Sequence, residues 1–164
     1  MRRKLGMAAV IVVALAVAAY AQKKPDFSGT WTLDAEKSEM GGGGGAGGGG
    51  GARGGGGGMM GAPITIKQTA DALTIERQGA NGAMTSTYKL DGTESENKMM
   101  GRGGEVTVKS KAKWDGDKLV IESTREGQNG PVTTTATYSL QGSNLVVENA
   151  GGRGPSKLVY KKTT

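Results

Sequence analysis

The 164-residue chain contains no cysteine and no histidine. The first absence removes disulfides as a source of stability. Together they remove the commonest metal ligands and the usual pairs of nucleophile and base. Large aromatics are scarce, with one Phe, two Trp and four Tyr, which leaves room inside any enclosed interior. No apolar run reaches the roughly 20 residues that a membrane-spanning helix needs. No segment past the N-terminus shows a helical period, so alternating βαβ architecture is not expected. Neither a Gly-x-Ser-x-Gly turn nor a Ser-x-x-Lys helix is present, and no Gly-Lys-Ser/Thr closes a glycine-rich loop. A catalytic function is therefore not expected, and no catalytic residue, metal site or cofactor is assigned.

What is present begins with an address. Arg2, Arg3 and Lys4 precede an apolar stretch from Met7 to Val17, and Ala19-Tyr20-Ala21 places small residues where a signal peptidase reads. Residues 1–21 read as a signal peptide, with an uncleaved anchor as the rival reading. A lipid-modified N-terminus is excluded, because no cysteine follows. Cleavage before Gln22 removes three of the six net positive charges and leaves +3, a balance that serves solubility more than nucleic-acid binding. The expected location is secreted or periplasmic.

Glycine dominates Gly41 to Gly61, broken by Ala46, Ala52, Arg53 and Met59-Met60. Glycine loses the most backbone entropy on ordering and has no side chain to offset the loss. The reading is one barrel domain over 26–162, interrupted by a Gly-rich disordered loop at 41–62. Arg-Gly pairs at Arg53, Arg102 and Arg153 superficially suggest RNA binding; in an exported, mildly basic chain they read as linker and turn glycines.

The rest alternates with period two. From Glu105 to Trp114, the residues Val106, Val108, Ser110, Ala112 and Trp114 share one face, and Lys109, Lys111 and Lys113 lie on the other. Asp115-Gly116 supplies a hairpin turn into Lys118 to Thr124. The same pattern marks Ser28–Leu33, Ile64–Gln68, Leu73–Arg77, Met84–Leu90, Thr93–Lys98, Val132–Leu140, Leu145–Glu148 and Leu158–Lys161. Glu126 to Pro131 reads as a longer loop, and Ala35 to Met40, after an Asp34 cap, as at most a helical turn. Ten strands in succession predict an all-β antiparallel up-and-down barrel of eight to ten strands, with a β-sandwich as the alternative. The lysine-bearing exterior belongs in water and does not suit an outer-membrane barrel.

The first strand carries a resemblance. Phe27-Ser28-Gly29-Thr30-Trp31, followed by a meander, resembles the start of lipocalin-like (calycin) barrels, and Pro25 to Asp34 with Lys37-Ser38 is similar to small exported bacterial proteins of that type, mostly of unknown function. The resemblance implies that Gly29 lets the strand bend and that Trp31 plugs the closed end. It also implies a basic residue of the last strand packed on Trp31, for which Lys161 is the nearest candidate.

Polar residues on the inward faces are the candidate ligand-binding set: Gln68, Arg77, Ser86, Ser110, Ser123, Arg125 and Thr134. Buried polar groups need partners, and an inward guanidinium seeks a carboxylate or phosphate. Arg77 and Arg125 have an alternative, that they sit at strand ends and reach solvent. Glu94 and Glu96 share a face in a segment that is polar throughout and reads as a solvated edge. Asp115 and Asp117 read as turn residues. Two functions follow. One is a monomeric carrier or sensor that holds a small amphipathic or hydrophobic ligand in its interior. The other is a non-enzymatic envelope structural or interaction module with a packed core.

Overall fold

The computed structural model describes residues 24–39, 62–79, 82–101, 104–127, 129–151 and 154–163. The segment 1–21, expected to be a signal peptide, and the glycine tract from Gly41 to Gly61, expected to be a disordered loop, lie outside them.

Ten strands follow in chain order: β1 Gly29–Leu33, β2 Ile64–Gln68, β3 Ala72–Gly79, β4 Gly82–Lys89, β5 Glu94–Gly101, β6 Gly104–Asp115, β7 Lys118–Gly127, β8 Gly130–Gln141, β9 Asn144–Gly151 and β10 Ser156–Thr163. They form one antiparallel sheet in the order β4-β3-β2-β1-β10-β9-β8-β7-β6-β5. First and last strands pair, Trp31 opposite Lys162 and Leu33 opposite Tyr160, so the meander curls back on itself. The result is a nearly closed barrel rather than a sandwich. Alternation is clearest along β6, where Val108, Ser110 and Ala112 are buried and each intervening residue is exposed.

The seam of the barrel lies between β4 and β5, whose backbones are not paired. Side chains bridge it instead. Asn97 Oδ1 accepts from Thr87 N at 2.7 Å, and Asn97 Nδ2 donates to Thr87 O at 3.1 Å. Ser95 Oγ accepts from Lys89 N at 2.9 Å. Asn97 thus reproduces with one amide the donor and acceptor that a neighbouring strand would offer, and it blunts two sheet edges that would otherwise be exposed. The segment read as a solvated edge is therefore two-faced: Glu94 and Glu96 point outward to Lys109 at 3.2 and 3.6 Å, whereas Ser95 and Asn97 are buried.

In a meander, alternate hairpins fall at opposite ends. The lower end holds the turns β2–β3, β4–β5, β6–β7 and β8–β9. Phe27 fills it, stacked on Trp114 with ring centres 5.8 Å apart and tilted against Tyr138 at 6.3 Å. The backbone leading into β1 is tied down by Gln68, whose Oε1 accepts from Phe27 N at 3.0 Å and whose Nε2 donates to Pro25 O at 2.9 Å. Trp31 is buried as expected, but Phe27 is the plug. The Trp31 indole donates to Phe27 O at 2.8 Å and braces it.

The expectation for Lys161 is corrected. Lys162 lies over the Trp31 ring at 5.4 Å, because Trp31 and Lys162 are register partners on the inner face, and Lys161 is one residue out of phase. Lys161 instead pairs with the buried carboxylate of Asp34 at 2.9 Å on the outside, with Lys37 at 3.8 Å. A hydrogen bond from Lys161 holds the Asp34 carboxyl below its ordinary pKa, against the opposing effect of its burial. Gly29 has φ +136°, and a Cβ there would lie 2.6 Å from Lys162 Cε. The first-strand glycine therefore bends the chain and makes room for the lysine stem.

At the upper end, Gly79 pairs Gly82, Gly101 pairs Gly104 and Gly127 pairs Gly130. Gly82, Gly104 and Gly130 have φ between 108° and 119°, values that side-chain-bearing residues rarely adopt. The longer loop expected from Glu126 to Pro131 is instead ladder, with Glu126 opposite Pro131, because this glycine pair lets the chain reverse quickly. After Asp34 there is one turn over 35–37 and no helix.

Candidate functional site

The barrel wall is apolar from β9 round to β3, where Val147, Leu158, Tyr160, Trp31, Ile64, Ile66, Leu73 and Ile75 are buried. Besides Lys162, which lies over Trp31, one cation among the described residues interrupts it. Arg77 on β3 is the register partner of Ile64 and of Met84, so it faces inward, and it is half-buried. Among the described residues no carboxylate forms an ion pair with it. Burial works against its charge, but the Tyr138, Tyr160 and Tyr88 hydroxyls outweigh that and hold its pKa above the ordinary value. In turn, burial pushes the Tyr138 hydroxyl up to about 12, with the Arg77 guanidinium pulling the other way. Burial also raises Tyr160, again opposed by Arg77. An inward guanidinium among three tyrosines offers several hydrogen-bond donors, and no carboxylate among the described residues neutralises it. That arrangement suits an anionic oxygen group.

The remaining predicted residues divide by height. Ser110, Ser123 and Thr134 are register partners on β6, β7 and β8, and Ser95 extends the row onto β5. Ser110 and Ser123 share a hydrogen bond of 2.8 Å. Ser86 is half-buried on β4 opposite Ile75. Arg125 shares the inward face with Val108 and Val132 but is exposed. It stands near the upper rim and reaches solvent. Gln68 sits at the lower end with its amide committed to the plug, away from the Ser–Thr row.

Sequence reasoning passed over the three tyrosines. Their signal was available: Tyr88 and Tyr138 have the parity of the inward residues around them, and Tyr160 lies two residues from Leu158. It passed over Ser95 and Asn97 because their neighbours are all polar. The Trp114 indole Nε1 is buried with no acceptor among the described residues. No group of metal-ligating side chains occurs among the described residues, and no helix among them is long and apolar enough to cross a membrane. A groove of about 580 Å³ lies on the outer wall, lined by Glu39, Thr135, Thr137, Glu148 and Lys157 among others. Its mixed charges and outward residues set it apart from the inward face that carries Arg77.

No family model and no curated protein sequence matches the chain. Solved structures do match in shape. Human cRBP IV superposes with a TM-score of 0.57 at 20% identity, covering 85% of this chain and 99% of its own. The REP1-NXSQ fatty acid transporter gives 0.56 at 14% identity, with 84% and 96% covered. Apo Caenorhabditis elegans lipid binding protein 8 gives 0.54 at 10% identity, with 84% and 95% covered. At these identities the likeness is one of fold.

Proposed function

We infer that the protein is an exported, non-enzymatic carrier or sensor that holds one small amphipathic molecule inside its barrel, with an anionic head at Arg77. The observation that carries this reading is the inward, half-buried guanidinium with no carboxylate partner among the described residues, set in an otherwise apolar wall beside Tyr88, Tyr138 and Tyr160. A purely packed core gains nothing from such a group, since burying a cation is costly unless an anion or strong acceptors meet it. Ten-stranded barrels are wide enough to take a small ligand. The fold neighbours named for fatty acid transport and lipid binding support the same use of the interior. Export rests on the Arg-Arg-Lys start and the Ala-Tyr-Ala end of the leader.

Calorimetric titration of the delipidated protein with octadecanoate tests the reading. Saturable binding at one site is expected, weakened at least tenfold by Arg77→Gln. An absence of binding by the unmodified protein, with no lipid retained in native mass spectra of protein from its own envelope, would leave the packed interaction module as the function. Intact-mass measurement of the mature protein should begin at or next to Gln22.

A further inference from the structure

The interior has two unlike walls. Opposite the apolar side, five hydroxyls point inward across neighbouring strands: Ser86 on β4, Ser95 on β5, Ser110 on β6, Ser123 on β7 and Thr134 on β8. Ser95, Ser110, Ser123 and Thr134 are directly aligned in register, so they form one belt at mid-height. Above Ser110 and Ser123 the row is Val108 and Arg125, and below them Ala112 and Ile121.

The belt is under-used by the protein. The Ser110–Ser123 bond at 2.8 Å consumes one of that pair's two hydroxyl protons. Ser95 Oγ accepts from Lys89 N, which leaves its own proton free. Ser86 and Thr134 have no side-chain hydrogen bond among the described residues. Each hydroxyl is a donor as well as an acceptor, so four of these protons are not used in side-chain hydrogen bonds among the described residues. A plain hydrocarbon chain laid against this wall would strip their water and give no bond in return. Among the described residues no cation belongs to the aligned row itself, and uncharged hydroxyls can donate to a hydroxyl or keto oxygen.

We propose that the belt of Ser95, Ser110, Ser123 and Thr134 is a specificity subsite, and that the ligand is an anionic amphipath bearing a hydroxyl or keto group on its apolar body. The proposal rests on the carrier reading above and deepens it: Arg77 takes the head, and the belt reads a polar substituent along the chain. Sites built to hydrogen-bond a hydroxyl discriminate against the analogue that lacks it, because the site's own polar groups are then left unpaired.

The test compares octadecanoate with 12-hydroxyoctadecanoate on the full chain stripped of co-purified lipid. The hydroxylated acid should bind at least tenfold tighter to the unmodified protein. Thr134→Val, which keeps the side-chain shape, and separately Ser123→Ala should each reduce that ratio severalfold. Two variants on different strands guard against misfolding of either one, and the ratio in the unmodified protein requires no variant at all. Equal affinity for the two acids, or a ratio untouched by both substitutions, overturns the belt and leaves the carrier reading standing. Failure of both acids to bind the unmodified protein removes the carrier reading and this inference with it.

Discussion

The two ends of the barrel are built from opposite materials. At the lower end, side chains do the work: Phe27 is fully buried between Trp114 and Tyr138, Trp31 braces its carbonyl, and Gln68 ties the chain at Pro25 and Phe27. At the upper end, three hairpins close on cross-strand glycine pairs, which bring no side chain to the rim. A packed end resists opening because its rings have close contacts to lose. A glycine end holds its shape through the backbone alone, which keeps bulk away from the side of the barrel where Arg125 stands. The seam between β4 and β5 lies between these extremes, since it is closed by side chains that imitate backbone.

The largest effect should come from emptying the plug. Phe27→Ala should cost roughly 3–5 kcal/mol in urea denaturation, as is usual when a buried aromatic is removed, and Trp31→Ala should fall in the same range. A near-neutral Phe27→Ala would mean that the lower end is not held by packing.

Next comes the seam. Asn97→Ala strips Thr87 N and O of their partners, and a loss of about 1–3 kcal/mol is expected, the cost of unsatisfied buried polar groups. Hydrogen exchange at the Thr87 amide should accelerate in the variant more than exchange at Ile75 does. Uniform acceleration would show that Asn97 supports the whole barrel and not its seam.

Two glycines with similar backbone strain then separate strain from surroundings. Gly29→Ala meets both φ +136° and the Lys162 stem, whereas Gly82→Ala at φ +115° has nothing within 4 Å. Strain of this kind costs on the order of 1–3 kcal/mol. The Gly29 variant should lose more, and it should also shift Trp31 fluorescence by moving Lys162. Equal losses would leave the Lys162 contact without energetic weight.

The smallest effect concerns pH. The Asp34 carboxyl is lowered in the folded state, chiefly by its hydrogen bond from Lys161. The unfolded chain therefore binds the proton more readily, and stability from this pair is present above the ordinary value of 3.8 and is lost as pH falls through the folded value. Asp34→Asn should flatten that part of the acid limb of the stability curve. An unchanged acid limb would assign it to other carboxylates.

Much of the fold was legible in the sequence because period two is a local signal. Every strand appears where alternation predicts it, with ends that run further towards the glycines, since glycine weakens the pattern without ending the ladder. Trp31 was readable as buried, and Arg77 as inward, for the same reason. Phe27 was not readable as the plug, because it precedes the first strand and its partners Trp114 and Tyr138 lie far along the chain. That Lys162 and not Lys161 covers Trp31 was not readable either, because proximity in sequence does not reveal which face a terminal strand presents.

The sequence by itself determined the all-β class and the alternation of every strand, each a property of neighbouring residues. Only the tertiary structure decided which strands became the two edges of the seam and that Asn97 would bridge them. It also decided that Tyr88, Tyr138 and Tyr160, from three separate strands, would gather round Arg77. These are outcomes of closure: curling a sheet into a barrel joins residues many positions apart, and their meeting depends on strand register and tilt, which no local pattern encodes.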